Sequence, residues 1–304
     1  MQQSDDPWSL RPEDFPASGT PEEKLRFLVR YAVLAPSFRN IQPWRFEVGE
    51  GRIGLYADLS RRQHAADLSQ RDLYVSLGCA LENLILAATH FGFAHEIVYF
   101  PLCEEDELVA QIRLAARDPG DAARDPLLEA ITRRRTQHGA YAGRPVDAAA
   151  LAELRACCRE PGLSLLLTQD ESIRQAVEKL LSRADAIGFG NAEYLKEQEA
   201  ASVAGGFDAR GQQNTPAFGL IGADKGGRDA QVRAGRVLER LYLTASTLGL
   251  SVQPMSVLLE FGEVTAAFAR LFRAGGVPLL PFRLGYAEQP ARPTPRRPLQ
   301  DVLG

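Results

Sequence analysis

A chain of 304 residues, 45% hydrophobic and 24% charged, is long enough to bury a large core, as one large domain or two ordinary ones. Its formal charge of −4 gives no electrostatic reason to expect nucleic acid or an anionic membrane as partner. No apolar run reads as approaching the roughly 20 residues needed to span a bilayer. The start, MQQSDDPWSLRPEDFP, is acidic and polar, unlike a signal peptide, so the expected compartment is the cytoplasm. Cys79, Cys103, Cys157 and Cys158 lack CxxC spacing and are expected as reduced thiols. The four histidines show no metal-binding pattern, and no metal is expected.

Residues 1–20 read as an irregular leader. A helix is expected from Thr20, with Pro21 in its first turn and Glu23 at the capping-box position, to a stop before Pro36. Trp44–Val48 and Arg52–Tyr56 read as two strands around a Gly49-Glu-Gly51 turn. Residues 57–71 are expected as loop, and a long helix over Asp72 to about Phe91, closed by Gly92. A short helix beginning at Leu127 runs into an arginine cluster. Asp147 is expected to cap a helix over about 148–159. Leu163–Thr168 reads as a strand and Ile173 to about Leu181 as a helix. Residues 185–215 mix glycines and aromatics, and a broken segment of that length reads as a tether or a functional cover. Phe218–Ala223 and Leu279–Leu284 read as strands, and Pro293 onward as an extended tail.

The long helix has an internal echo. Gly78, Leu81, Glu82, Leu84, Leu86, Ala88 and Gly92 recur at the same spacing as Gly235, Leu238, Glu239, Leu241, Leu243, Ala245 and Gly249. Apolar periodicity explains the leucines of such a pattern. It does not require the glutamate and both glycines to fall in register. A duplication is therefore expected, with repeats over about 15–120 and 121–304.

Three further segments carry chemistry. Ala35-Pro36-Ser37-Phe38-Arg39-Asn40-Ile41-Gln42-Pro43-Trp44 reads APSxxNxQPW, Arg133-Arg134-Arg135-Thr136 follows far downstream, and Pro295-Arg296-Arg297-Pro298 lies in the tail. Together these resemble the nitroreductase-fold FMN-binding flavoproteins, and the whole pattern looks most like their Acg-type, fused-repeat branch. The resemblance implies an α+β protein with a nitroreductase-like three-layer α/β/α sandwich, an intrachain pseudo-dimer of two degenerate repeats sharing one site. By that resemblance Pro36, Ser37 and Asn40 meet the flavin. Arg134 and Thr136 match the Arg-x-Ser grip on the FMN phosphate, and His138 stands where a further cation is usual. Arg296 and Arg297 match the C-terminal basic pair. Gln253-Pro254-Met255-Ser256 resembles the stretch whose backbone approaches flavin N5 and O4, with Ser256 where glutamate is usual.

FMN needs cationic planar donors and a hydroxyl at its phosphate, and packing at its ring. The expected function is an FMN-dependent oxidoreductase taking hydride from NAD(P)H and passing electrons to a nitro, quinone or similar small-molecule acceptor. No catalytic acid–base pair stands out. The alternative is a flavin-storing protein in which the 185–215 segment covers the ring and blocks turnover. A monomer or a homodimer would serve either.

Overall fold

The computed structural model describes residues 6–63, 67–102, 107–117, 126–188, 190–191, 194–196 and 214–304. The first half begins with α1 (Pro21–Ala32), in which the capping box forms as expected. Thr20 N donates to Glu23 Oε2 at 2.7 Å, and Glu23 N to Thr20 Oγ1 at 3.2 Å. The hairpin β1 (Trp44–Gly49) and β2 (Arg52–Ala57) follows, then α2 (Arg71–His90), β3 (Phe93–Tyr99) and β4 (Leu108–Ala116). The strands order as β1-β2-β4-β3, all antiparallel. β3 and β4 are additions to the sequence reading.

The second half holds α3 (Leu128–Arg133), α4 (Ala148–Arg155), β5 (Leu163–Thr168), α5 (Glu171–Gly188), β6 (Ala217–Ala223), α6 (Arg228–Thr247), β7 (Ser251–Pro254), α7 (Gly262–Leu271) and β8 (Val277–Gly285). Its sheet runs β5-β6-β8-β7, again antiparallel. This is the strand order of the first sheet, with α5 and α7 added between strands. Three expectations need correction. The fifth helix continues through residue 188, so the start of the expected cover is helical. The Asp147 side chain makes no capping bond; its Oδ2 accepts from Tyr286 Oη at 3.4 Å. The tail is extended only in part, since Leu299–Asp301 turns as a 3-10 helix.

The α2 and α6 helices cross at the centre, α2 against β2 and β3, α6 against β6 and β7. Their glycines permit the contact. A Cβ on Gly78 would lie 1.9 Å from the Val232 carbonyl oxygen, and one on Gly235 would lie 2.0 Å from that of Val75. The two contacts are reciprocal, so a local two-fold axis passes between the helices. The repeated glycine is thus required by backbone approach, which leucine periodicity could never show. By length and composition α2 is apolar enough to cross a membrane, contrary to the sequence reading, but that window is 89% buried inside the fold. Its hydrophobicity serves the core.

The tail returns to the first half. Phe46 N donates to Val302 O at 2.7 Å and Gly304 N to Phe46 O at 2.8 Å, adding a short parallel partner to the outer edge of β1. Such pairing covers an otherwise open strand edge.

Candidate functional site

One cavity of about 1380 Å³, its mouth included, draws on both halves and the tail. From the loop after α1 come Pro36–Asn40, from α2 Asp72, Val75, Ser76 and Cys79, and from the segment after α3 Arg134, Arg135, Thr136 and His138. Gln253–Val257, Glu260 and Leu280 line it from the second sheet's side. Trp8, Asp185, Leu238, Arg292, Thr294 and Arg296 complete it. Ten of the eleven residues singled out in the sequence are thereby brought together.

Arg297 is the exception and does not line the cavity. Its guanidinium donates to Gln42 O at 3.1 Å and Asp301 O at 2.8 Å, and pairs with Asp58 at 3.4 Å. In an extended segment neighbouring side chains point opposite ways, so only one of two adjacent arginines can face a given ligand. Arg296 takes that place and Arg297 fixes the tail.

The APSxxNxQPW loop is held in a costly shape. Arg39, Asn40 and Gln42 have φ of 48°, 58° and 49°, in the left-handed region, where each non-glycine residue costs on the order of 1 kcal/mol. Side chains support it. Gln42 N donates to Ser37 Oγ at 2.9 Å and Phe38 N to Ser76 Oγ at 3.0 Å. Asn40 Nδ2 donates to Pro295 O, and its Oδ1 accepts from Arg296, both at 3.1 Å. Arg297 N donates to Gln42 Oε1 at 2.8 Å. Asn40 thus anchors the tail beside the cavity, which the motif alone did not show.

The cationic group is compact. The guanidinium carbons of Arg135, Arg296 and Arg134 lie 4.2, 4.6 and 5.9 Å from the Trp8 ring centre. Arg134 is buried, donates to Leu34 O at 3.0 Å and approaches Glu239 at 3.5 Å. Arg296 donates to Leu34 O and Ala35 O, both at 3.1 Å, and to Thr294 Oγ1 at 2.6 Å. Burial, and then repulsion from Arg134, pull the Arg296 pKa down to about 9. Burial pushes the Glu239 carboxyl up to about 7 despite Arg134. The Nε atoms of Arg134 and Arg296 are buried without a hydrogen-bond partner among the described residues. Such a cluster of under-compensated guanidinium groups calls for an anion. Thr136 Oγ1 accepts from Tyr242 Oη at 3.1 Å and keeps its own proton to donate.

Two expectations at the other side change. His138 is biased toward its neutral form, because burial, and then Arg283, hold its pKa below the ordinary value. Met255 N is not available to a ligand, because it donates to Pro281 O at 2.8 Å. Ser256 Oγ donates to Asp72 Oδ1 at 3.0 Å, and Asp72 pairs with Arg71 at 2.8 Å. Of the expected cover, Asp185 lines the cavity and Tyr194 packs on Phe261 at 5.8 Å under the Arg39 guanidinium. Residues 189, 192–193 and 197–213, Phe189 and Phe207 with them, lie outside the described residues, as does Cys103.

Glu260 is a cavity residue that sequence reading missed. Burial pushes its carboxyl up to about 7, Asp72 adds to that, and the Tyr194 hydrogen bond, Arg39 and Arg71 oppose it. The folded chain therefore holds a proton that the unfolded chain releases above its ordinary value of 4.5. Stability from this group falls as pH rises through the window from 4.5 to about 7. Denaturant midpoints measured across that window should fall less steeply in Glu260→Gln than in the native chain. Parallel curves would show that the carboxyl is not perturbed.

By the local two-fold, Cys79 on the cavity wall corresponds to Arg236, and Ser76 to Arg233. Arg236 pairs with Glu82 and Glu160, both at 2.9 Å, and donates to Tyr99 Oη at 2.8 Å. Arg240 also pairs with Glu82, and Arg233 with Asp229, while Arg233 reaches Pro161 O at 3.4 Å. The positions related to Cys79 and Ser76 by that axis are thus held by paired arginines.

No family model matches the chain. It is 28% identical over 317 residues to the putative NAD(P)H nitroreductase Rv3131 of Mycobacterium tuberculosis (strain ATCC 25618 / H37Rv), covering 92% of this chain and 91% of that protein. It is 23% identical over 313 residues to the putative NAD(P)H nitroreductase acg of the same organism, covering 92% and 95%. The chain has a nitroreductase-type fold and is similar over most of its length to proteins named NAD(P)H nitroreductase, acg among them. The probable NAD(P)H nitroreductase PigM of Serratia sp. (strain ATCC 39006) is 23% identical, with 93% of each chain covered. A solved structure, the FMN and NADPH-dependent nitroreductase NfnB from sphigopyxis sp. strain HMH, is similar at 21% identity and a TM-score of 0.46, covering 59% of this chain and 98% of that one. The cavity lies between two halves of one polypeptide; beyond the residues its motifs named, Trp8 lines it, and Glu239 and Arg283 contact lining residues Arg134 and Gln253. Trp8 gave no signal within a Pro- and Asp-rich leader. Glu239 and Arg283 could have been found as single charges inside otherwise apolar elements.

Proposed function

We propose that the chain binds one FMN in this cavity and acts as a cytoplasmic NAD(P)H-dependent oxidoreductase of the nitroreductase type, with a nitro compound, quinone or similar small molecule as acceptor. We further propose that residues of about 15–120 and 121–304 are two repeats, the tail excepted, since it packs on the first. The observation that carries the reading is the arginine cluster around Trp8. Arg134, Arg135 and Arg296 present more positive charge than Glu239 and the nearby Asp6 offset, and they fit a phosphate better than any neutral group. Thr136 adds a hydroxyl donor. Pro36, Ser37, Pro254 and Met255 offer the less polar wall that a flavin ring needs.

FMN, when bound, supplies hydride acceptance and delivery. The chain's own groups hold the phosphate, shape the loop at Ser37–Gln42 and narrow access through Phe38, Arg39 and Glu260. The paired arginines at the positions equivalent to Cys79 and Ser76 support one site per chain. The names of the relatives support the NAD(P)H reading. A second reading, flavin storage, draws on Asp185 and Tyr194, which bring the start of the proposed cover to the cavity's edge.

Flavin released by heat should amount to one per chain, and anaerobic NADPH should bleach the oxidised flavin band promptly. A ratio near two would sink the single-site reading. A loaded protein that stays yellow would favour storage, and one that cannot be loaded with FMN would end both readings.

A further inference from the structure

A buried relay runs from β8 to the cavity wall. Arg283 is fully buried, and its Nε donates to Gln253 Oε1 at 2.7 Å. An arginine has donors only, so the amide oxygen of Gln253 must face it. The amide nitrogen is therefore turned to His138, with Nε2 of the glutamine 3.1 Å from Nδ1 of the histidine. An amide N–H can only donate, so Nδ1 must accept and carry no proton. The backbone enforces the meeting. Gln137 N donates to Val252 O at 3.2 Å, and Thr136 bridges Val252, so the segment carrying His138 runs alongside β7. Arg283 closes the assembly from the other side, donating to His138 O at 3.2 Å and Gly139 O at 3.3 Å.

We propose that Arg283 and Gln253 are positioning residues that lock His138 as its Nε2–H tautomer, so that the cavity meets an uncharged hydrogen-bond donor suited to a carbonyl oxygen of the flavin ring. The inference rests on the FMN reading for its ligand, but not for the lock. The site then has two kinds of donor. The arginines recognise charge, and His138 recognises a neutral acceptor without placing a positive charge beside the ring. Burial and Arg283 both disfavour the imidazolium, which agrees with the geometry.

The test is long-range ¹H–¹⁵N NMR of the histidine rings at neutral pH, with His138→Gln assigning the signal. The native chain, free of flavin, should show Nδ1 unprotonated and Nε2 protonated. Gln253→Leu should give a mixture of tautomers. Gln253→Glu should give a ring protonated on both nitrogens, since a carboxylate accepts from Nδ1–H. An Nδ1–H tautomer or an imidazolium in the native chain would overturn the lock, as would a Gln253→Leu spectrum identical to the native one. Adding FMN should shift the Nε2–H signal downfield, and His138→Phe should bind FMN roughly 10-fold more weakly. FMN that binds while leaving the His138 signals unmoved would overturn the proposed contact. FMN that does not bind at all would instead remove the cofactor reading.

Discussion

Replacing Arg134 with alanine should weaken FMN binding by roughly 10-fold to 100-fold, the loss of one or two charge-assisted bonds at about 1.4 kcal/mol per decade. Arg296→Ala should do the same, since both guanidinium groups border the cavity beside Trp8. Riboflavin lacks the phosphate and should bind native and variant proteins with similar weakness, which separates loss of the phosphate grip from general damage. Arg297→Ala is the informative contrast. Its contacts are with Gln42, Asp58 and Asp301, so it should lower the thermal midpoint and loosen the tail while costing FMN affinity much less. Fluorescence titration of all three variants gives the comparison. Equal FMN affinity in native protein, Arg134→Ala and Arg296→Ala would mean that the cluster holds something other than this phosphate.

The second large effect is on stability. In Gly235→Val the new Cβ would sit 2.0 Å from the Val75 carbonyl oxygen and 2.8 Å from its carbon. Backbone cannot rotate away as a side chain can, so α2 and α6 must separate along their whole contact. The expected cost is on the order of 3 kcal/mol or more, the upper part of the range for overpacked cores. That is a large share of the roughly 5–15 kcal/mol that holds a folded domain. Gly262→Ala, at the open start of α7 where nothing lies within 4 Å, should change stability by less than about 0.5 kcal/mol. Urea midpoints for the two variants decide the matter. A Gly235→Val protein as stable as Gly262→Ala would show that the helices do not cross so closely.

Much of this architecture was legible from residues because several devices are local. The Thr20–Glu23 box, the Gly51 turn at φ 65° and the Gly92 stop at φ 79° each act within a few positions. The paired glycines of α2 and α6 were legible only as a coincidence of spacing; their cause lies in a contact between distant backbones. β3 escaped because it is partly exposed, and His95 and Glu96 blur its alternation. The seventh helix escaped because it starts at Gly262 without a side-chain cap.

At the site, motifs named the cavity wall well, since loops and strand ends keep their residue types where a ligand is to be met. They could not distinguish Arg296 from Arg297, because adjacent letters do not say which side of an extended chain faces inward. Nor could they show that Asn40 is occupied by Pro295 and Arg296, or that Met255 N is spent on Pro281. Those facts depend on partners more than 20 residues away. Lone buried charges such as Glu239 and Arg283 stand out in apolar elements, but nothing local names their partners.

The tail's position bears on the order of folding. The contacts of Gly304 with Phe46 and of Arg296 with Leu34 join residues separated by nearly the whole chain. Contacts of such sequence separation form more slowly than the hairpins and helices around them. The left-handed turn at Arg39–Gln42 leans on the tail through Asn40 and Gln42, so it gains its full support only when those contacts form. The cavity wall therefore reaches its full shape only with the tail in place.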